Sequence, residues 1–237
     1  NGVINDGGGS YNVVKNQGGE LILGGANTYD GSTYIDKGTL TLNHANAAGT
    51  DGIFIGRDAG TDAATLKLSL ATTYANNMTV RTESTGIKYL TAAETATLSG
   101  TLAIAETDDD RFNIDVASSK ILTLSGVVSG SYGGGKITKT GAGTVVFSNT
   151  GNTYDQKVQI NAGTVSISAS RNLGDDGGGW HEKIILNGGT LQATASFTMI
   201  DNYVMTLGAG NGFIEVTDGY TLTYPGVISG GGMGKTG

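Results

Sequence analysis

The stretch GVVSGSYGGGKITKTGAGTVVFSNTGNTYDQKVQINAGTVSISASRNLG, residues Gly126 to Gly174, carries a pattern that also occurs upstream and begins again downstream. The upstream counterpart runs from Gly2 to Gly49. Asn27 answers to Asn152, Gly38 to Gly163 and Gly49 to Gly174, all at an offset of about 125 residues. Past Thr79 the offset falls to about 100, where Asn113-Ile114-Asp115-Val116 meets Phe213-Ile214-Glu215-Val216. The first copy therefore holds about 25 extra residues, the size of one added solenoid turn, placed near Arg81 to Glu106. The division that follows is 1–125 for a first repeat with its inserted turn, 126–225 for a second, and 226–237 for the start of a third, where Lys235-Thr236-Gly237 repeats Lys139-Thr140-Gly141.

Within each copy, short runs such as Thr39-Leu40-Thr41-Leu42 and Thr65-Leu66-Lys67-Leu68 alternate apolar and polar residues, which puts the leucines on one face of a strand. Helical periodicity is nearly absent, with one possible short helix near Ala45 to Ala48. Ala96 to Ala105 reads as one continuous strand-like run. Gly accounts for 41 of 237 residues, against a usual share of about 7%, and its clusters fall between the runs as tight corners. Strands this short need partners above and below. Coiling the chain satisfies that need and predicts an all-β, right-handed parallel β-helix, a β-solenoid of about ten turns.

Lys139-Thr140-Gly141-Ala142-Gly143-Thr144, Asn152-Thr153-Tyr154 and Ala162-Gly163-Thr164-Val165 resemble the autotransporter passenger-associated β-strand repeat. Its pattern runs K-x-G-x-G-x-L-x-L, N-T-Y-x-G, then G-T-L. The pattern recurs as Lys15 to Leu23, Asn27 to Gly31 and Gly38-Thr39-Leu40, with Gln156 standing where the second N-T-Y should be followed by glycine. The resemblance implies a large bacterial surface protein whose exported β-helix serves as a non-enzymatic, extracellular structural or adhesive stalk or filament segment. The alternative is a glycan-binding or polysaccharide-degrading β-helix. The family carries no catalytic motif, so it assigns no active-site residues. The expected partners are neighbouring repeats of a longer chain or end-to-end stacked copies, with host or matrix glycans as ligands.

The formal charge of −7 argues against a nucleic-acid partner, which would call for clustered Lys and Arg. Cysteine is absent, so disulfides and thiolate metal sites are excluded. No apolar run approaches the roughly 20 residues of a membrane helix. No cofactor motif is complete: Gly133-Gly134-Gly135-Lys136 lacks the remaining spacing of a phosphate loop. Asp108, Asp109 and Asp110 in one loop, and Asp175 and Asp176 in another, are the Ca²⁺ candidates, although neither loop has alternating ligand spacing. His44 and His181 are too isolated in sequence for a metal set or triad, and Ser148, Ser168 and Ser170 lack a nucleophile-elbow motif. Trp180, in a glycine-rich loop, is the ligand-binding candidate, while the N-T-Y tyrosines read as corner covers and the asparagines as stacking residues. Thr39-x-Thr41, Thr138-x-Thr140 and Thr221-x-Thr223 raise a water-ordering threonine face, but their irregular spacing favours ordinary strand formers.

Overall fold

The computed structural model describes residues 2–57, 59–105, 111–130, 135–175, 181–230 and 233–236, with the backbone alone described at 181 and 233–236. The alternation read from sequence becomes strands whose inward side chains are shut off from solvent: Ala64, Leu66 and Leu68 are buried, while Thr65 and Lys67 between them face outward. All the strand pairs are parallel and join residues one turn apart. Leu21 pairs with Leu40 and Leu40 with Leu66, giving successive turns of 19 and 26 residues. The result is the parallel β-solenoid expected from sequence. Among the described residues a ten-stranded sheet, here sheet B, runs the length of the solenoid, while six-stranded sheet A ends at Gly130, eight-stranded sheet C begins at Thr73, and Phe197–Thr198 pairs with Leu222–Thr223 in a short fourth sheet; the two longer ladders correspond to eight to ten turns. Leu40, Leu66, Leu90 and Ile114 stack in one file of the apolar core.

Two sequence expectations are corrected. Residues 45–48 form a turn rather than a helix, closed by the Ala47 N–H donating to the His44 carbonyl at 3.1 Å; the corresponding Ser170–Leu173 is a single 3₁₀ turn. Ala96 to Ala105 breaks into two strands, Ala96–Leu98 on sheet C and Leu102–Ile104 on sheet A. The corner between them packs against the turn before it, where a Cβ on Gly100 would lie 2.2 Å from the Asn76 carbonyl oxygen. Alternation continues through a corner, so period alone does not reveal it.

The two copies of the motif do not sit on the same sheets. Val13–Lys15 and Thr33–Ile35 belong to sheet A, and Glu20–Leu23 and Gly38–Leu42 to sheet B. Their counterparts Lys136–Thr140 and Lys157–Ile160 belong to sheet B, and Thr144–Phe147 and Thr164–Ile167 to sheet C. The strand holding the next Lys-Thr pair, Met233–Thr236, lies on sheet C. Each recurrence of the lysine advances one sheet around the rod. From Lys15 the chain makes five turns and one further sheet to reach Lys139, then four turns and one further sheet to reach Lys235.

Candidate interaction surface

The N-T-Y corner is the element that fixes what each copy presents outward. Asn27 accepts from the Ile4 N–H at 2.9 Å and donates to the Ala47 carbonyl at 2.6 Å, so one amide ties together three successive turns. Asn152 repeats this with the Val128 N–H at 2.8 Å and the Asn172 carbonyl at 2.8 Å. Both asparagines are buried, where an unpaired backbone group would be costly, and each amide supplies the missing partners. Tyr29 and Tyr154 are buried beneath these corners, with the Tyr29 hydroxyl 2.6 Å from that of Thr33 and the Tyr154 hydroxyl donating to the Asn172 carbonyl at 3.5 Å. These aromatics are structural, as expected from sequence.

The motif lysine has an equally local reason. Lys139 stands between Ile114 and Ile160 in the ladder, and its Nζ donates to the Gly141 carbonyl at 2.7 Å and to the Ala162 carbonyl of the next turn at 3.2 Å. Burial lowers its pKa to about 8. Lys15 does the same with the carbonyls of Gln17 and Lys37. The glycine of G-T-L follows from this: Gly38 and Gly163 have φ of +74° and +64°, and a Cβ there would lie 2.6 and 2.8 Å from the lysine nitrogen.

The densest group of recognition-type side chains lies outside sheet A in the first copy. Tyr34 and Phe54 are ladder neighbours with ring centroids 5.1 Å apart. The Arg57 guanidinium lies 4.3 Å from the Tyr34 ring centre, and Arg81 lies 5.7 Å from that of Phe54. Asp36 receives Arg57 at 3.1 and 2.9 Å, and Glu83 pairs with Arg81. The hydrogen bonds from Arg81 hold the Glu83 carboxyl below the usual range. Tyr and Arg, held rigid and partly exposed, are the residue types that dominate protein interfaces. Sequence reasoning missed this group because its members lie about 20 residues apart, and only the turn length brings them together.

Of the residues singled out from sequence, Asp108, Asp109, Asp110, Asp176 and Trp180 fall outside the described residues. Asp175 is paired with Arg171 at 3.2 Å and its backbone N–H donates to the Tyr154 carbonyl. His44 accepts from the Asn46 N–H at 3.0 Å, a turn-closing role, and His181 lies in a strand of sheet B. Among the described residues no group of His, Asp and Glu converges to hold a metal ion, and no helix is long and apolar enough to cross a membrane.

The passenger-associated-transport-repeat family matches residues 13–42 and 137–167, the two stretches tied by the asparagine corners. These two stretches are autotransporter passenger repeats. Across its length the chain is similar to the adhesin BmaC autotransporter of Brucella suis biovar 1 (strain 1330), 32% identical over 245 aligned residues, which cover 99% of this chain and 6% of that protein. The chain thus spans about 6% of the length of that relative. The passenger repeats mark an extracellular, cell-surface segment. No solved structure matches the chain.

Proposed function

We propose that this chain is a non-enzymatic stalk segment of an adhesive bacterial surface protein, a rigid rod that spaces and presents contact surfaces. The observation that carries the reading is the parallel ladder of ten strands, with one register shift between Glu182 and Ile184, over one apolar core, closed at its corners by side chains rather than opened into a cleft. Similarity along the whole chain to a protein named as an adhesin supports the adhesive part. The aromatic and arginine ladder of Tyr34, Phe54, Arg57 and Arg81 is the contact surface in the first copy, with host or matrix glycans and proteins as its partners. Successive repeats stack as successive turns, either within one long chain or between copies in a filament. The test is adhesion of beads displaying the chain to glycan- and matrix-coated surfaces, with polysaccharide turnover followed in parallel. Binding that weakens in Tyr34→Ala and Phe54→Ala, without release of new sugar ends, is expected. Release of sugar ends, or no binding above bare beads, would overturn the reading.

A further inference from the structure

Beside its aromatic and arginine ladder, sheet A carries a second feature. Asn77-Met78-Thr79 is the one place in the 237 residues where an asparagine is followed two positions later by serine or threonine, and no proline stands between them. Asn-x-Thr is the acceptor pattern for attaching a sugar to an asparagine amide, and it calls for an accessible position on an exported chain. The passenger repeats supply the second condition.

The fold supplies the first. Met78–Val80 is a strand of sheet A with Met78 and Val80 buried, so Thr79 faces outward. Asn77 stands two positions before it on the same outward side and is exposed. The backbone here is tied to both adjacent turns: the Asn77 carbonyl accepts from the Ile53 N–H at 2.8 Å, and the Met78 N–H donates to the Thr101 carbonyl at 2.8 Å. The side chain is held at one end only. Its amide oxygen accepts from the Thr101 N–H at 2.9 Å, while its amide nitrogen has no partner among the described residues. Neighbouring Asn76 is the reverse case, since its amide nitrogen donates to the Gly49 and Asp51 carbonyls at 3.1 and 2.7 Å. Asn27 and Asn152 also commit their nitrogens, to the carbonyls of Ala47 and Asn172. The Thr79 hydroxyl has no partner among the described residues either.

We infer that Asn77 is a glycosylation site, taking its first sugar from a glycosyl diphosphate. The Asn77 amide nitrogen bonds to the anomeric carbon as that carbon's bond to the diphosphate oxygen breaks. The diphosphate leaves with the electron pair, and the amide gives up one proton. The surface beside the acceptor has room for the product. One turn back, Gly52 precedes the Ile53 that pairs with Met78; a Cβ on it would lie 3.4 Å from Phe54 Cε2 and 3.5 Å from the Asn77 carbonyl oxygen. The asparagine and the ring therefore flank a patch with no side chain of its own, where the first sugar gains an apolar neighbour for its C–H groups. The inference holds whether or not the Tyr34 and Phe54 ladder is adhesive, because the two are read by different measurements.

The test is peptide mass spectrometry of the protein recovered from the surface of its own bacterium. The peptide holding Asn77 should carry added sugar mass, a single sugar where the donor is a sugar nucleotide and a preassembled chain where it is lipid-linked. Asn77→Gln should lose the addition. Thr79→Ala should lose it too, because a transferase that reads the hydroxyl rejects a chain lacking it, whereas Thr79→Ser should keep it. Asn76→Gln, beside the acceptor, should also keep it, with circular dichroism confirming the fold of all four variants. An unmodified Asn77 peptide, sugar attached to a hydroxyl instead, or full modification of Thr79→Ala would overturn the inference. Bead adhesion reads the stalk proposal separately, so either result leaves that reading as it was.

Discussion

Residues 13–42 and 137–167 match the same repeat family, yet the first lies on sheets A and B and the second on sheets B and C. In the first, the N-T-Y corner and the following turn occupy the side of the rod where sheet C would run, and sheet C starts only at Thr73. In the second, the corresponding corner occupies the side of sheet A, which ends at Gly130. The repeat therefore encodes a relation between two adjacent sheets and a corner, not a position on the rod. Rotation of one unit around the axis puts equivalent outward residues on different faces: Thr39 sits on sheet B, and Thr164 on sheet C.

The largest test of this comparison uses the asparagines. Asn152→Ala removes the bridge in mid-rod and should cost about 2–4 kcal/mol in urea unfolding, since two buried backbone groups lose their partner. Asn27→Ala should cost about half as much, because Ile4 lies in an exposed turn where water replaces the amide. Equal losses would show that the two corners are energetically interchangeable.

The position after N-T-Y sharpens the contrast. Gly31 must be small, because a Cβ there would lie 2.3 Å from the Tyr11 carbonyl oxygen, and Gly31→Ala should cost about 1–3 kcal/mol by thermal or urea unfolding. Gln156 in the second copy faces the last strand of sheet A: it lies against Gly130 and donates to the Ile104 carbonyl at 3.2 Å. Gln156→Ala should cost about 1 kcal/mol, and a larger loss than Gly31→Ala would invert the assignment of the two roles.

Lys139 separates the copies by pH. Its folded pKa of about 8 lies below the ordinary lysine value of 10.5, so between these values the unfolded chain holds a proton that the folded chain has released. Stability should rise with pH across that window and then fall as tyrosines ionise in the unfolded chain, since burial holds Tyr154 and Tyr224 protonated in the fold. Lys139→Met should flatten the rise in urea midpoints measured from pH 7 to 10. Lys15→Met should change it less, because Lys15 lies near the first turn. The smallest effect is expected for Arg57→Ala, about 0.5–1 kcal/mol in the same unfolding assay for one partly exposed ion pair stacked on a ring.

Much of this was legible in the chain itself. Strands such as Phe112–Val116 and Ile121–Leu124 fall where alternation placed them, since a side chain's face depends only on its neighbours two positions away. The structural roles of Asn27, Asn152, Tyr29 and Tyr154 were legible for the same reason, because a recurring corner carries its own chemistry. The two-residue strand Thr73–Tyr74 was not, being too short to show a period. Nor was the Tyr34, Phe54 and Arg57 group, whose members meet only through the ladder.

The sequence by itself determined the all-β solenoid, its inward leucines, isoleucines and valines, and the two related units, because these follow from local alternation and from a motif that repeats with its corner intact. Tertiary structure alone decided which sheet each unit joined. That depends on turns of 19 to 26 residues accumulated over five turns, and a remainder of one sheet in that sum moves every outward side chain to another face. Periods add along the chain, but faces are counted around the rod.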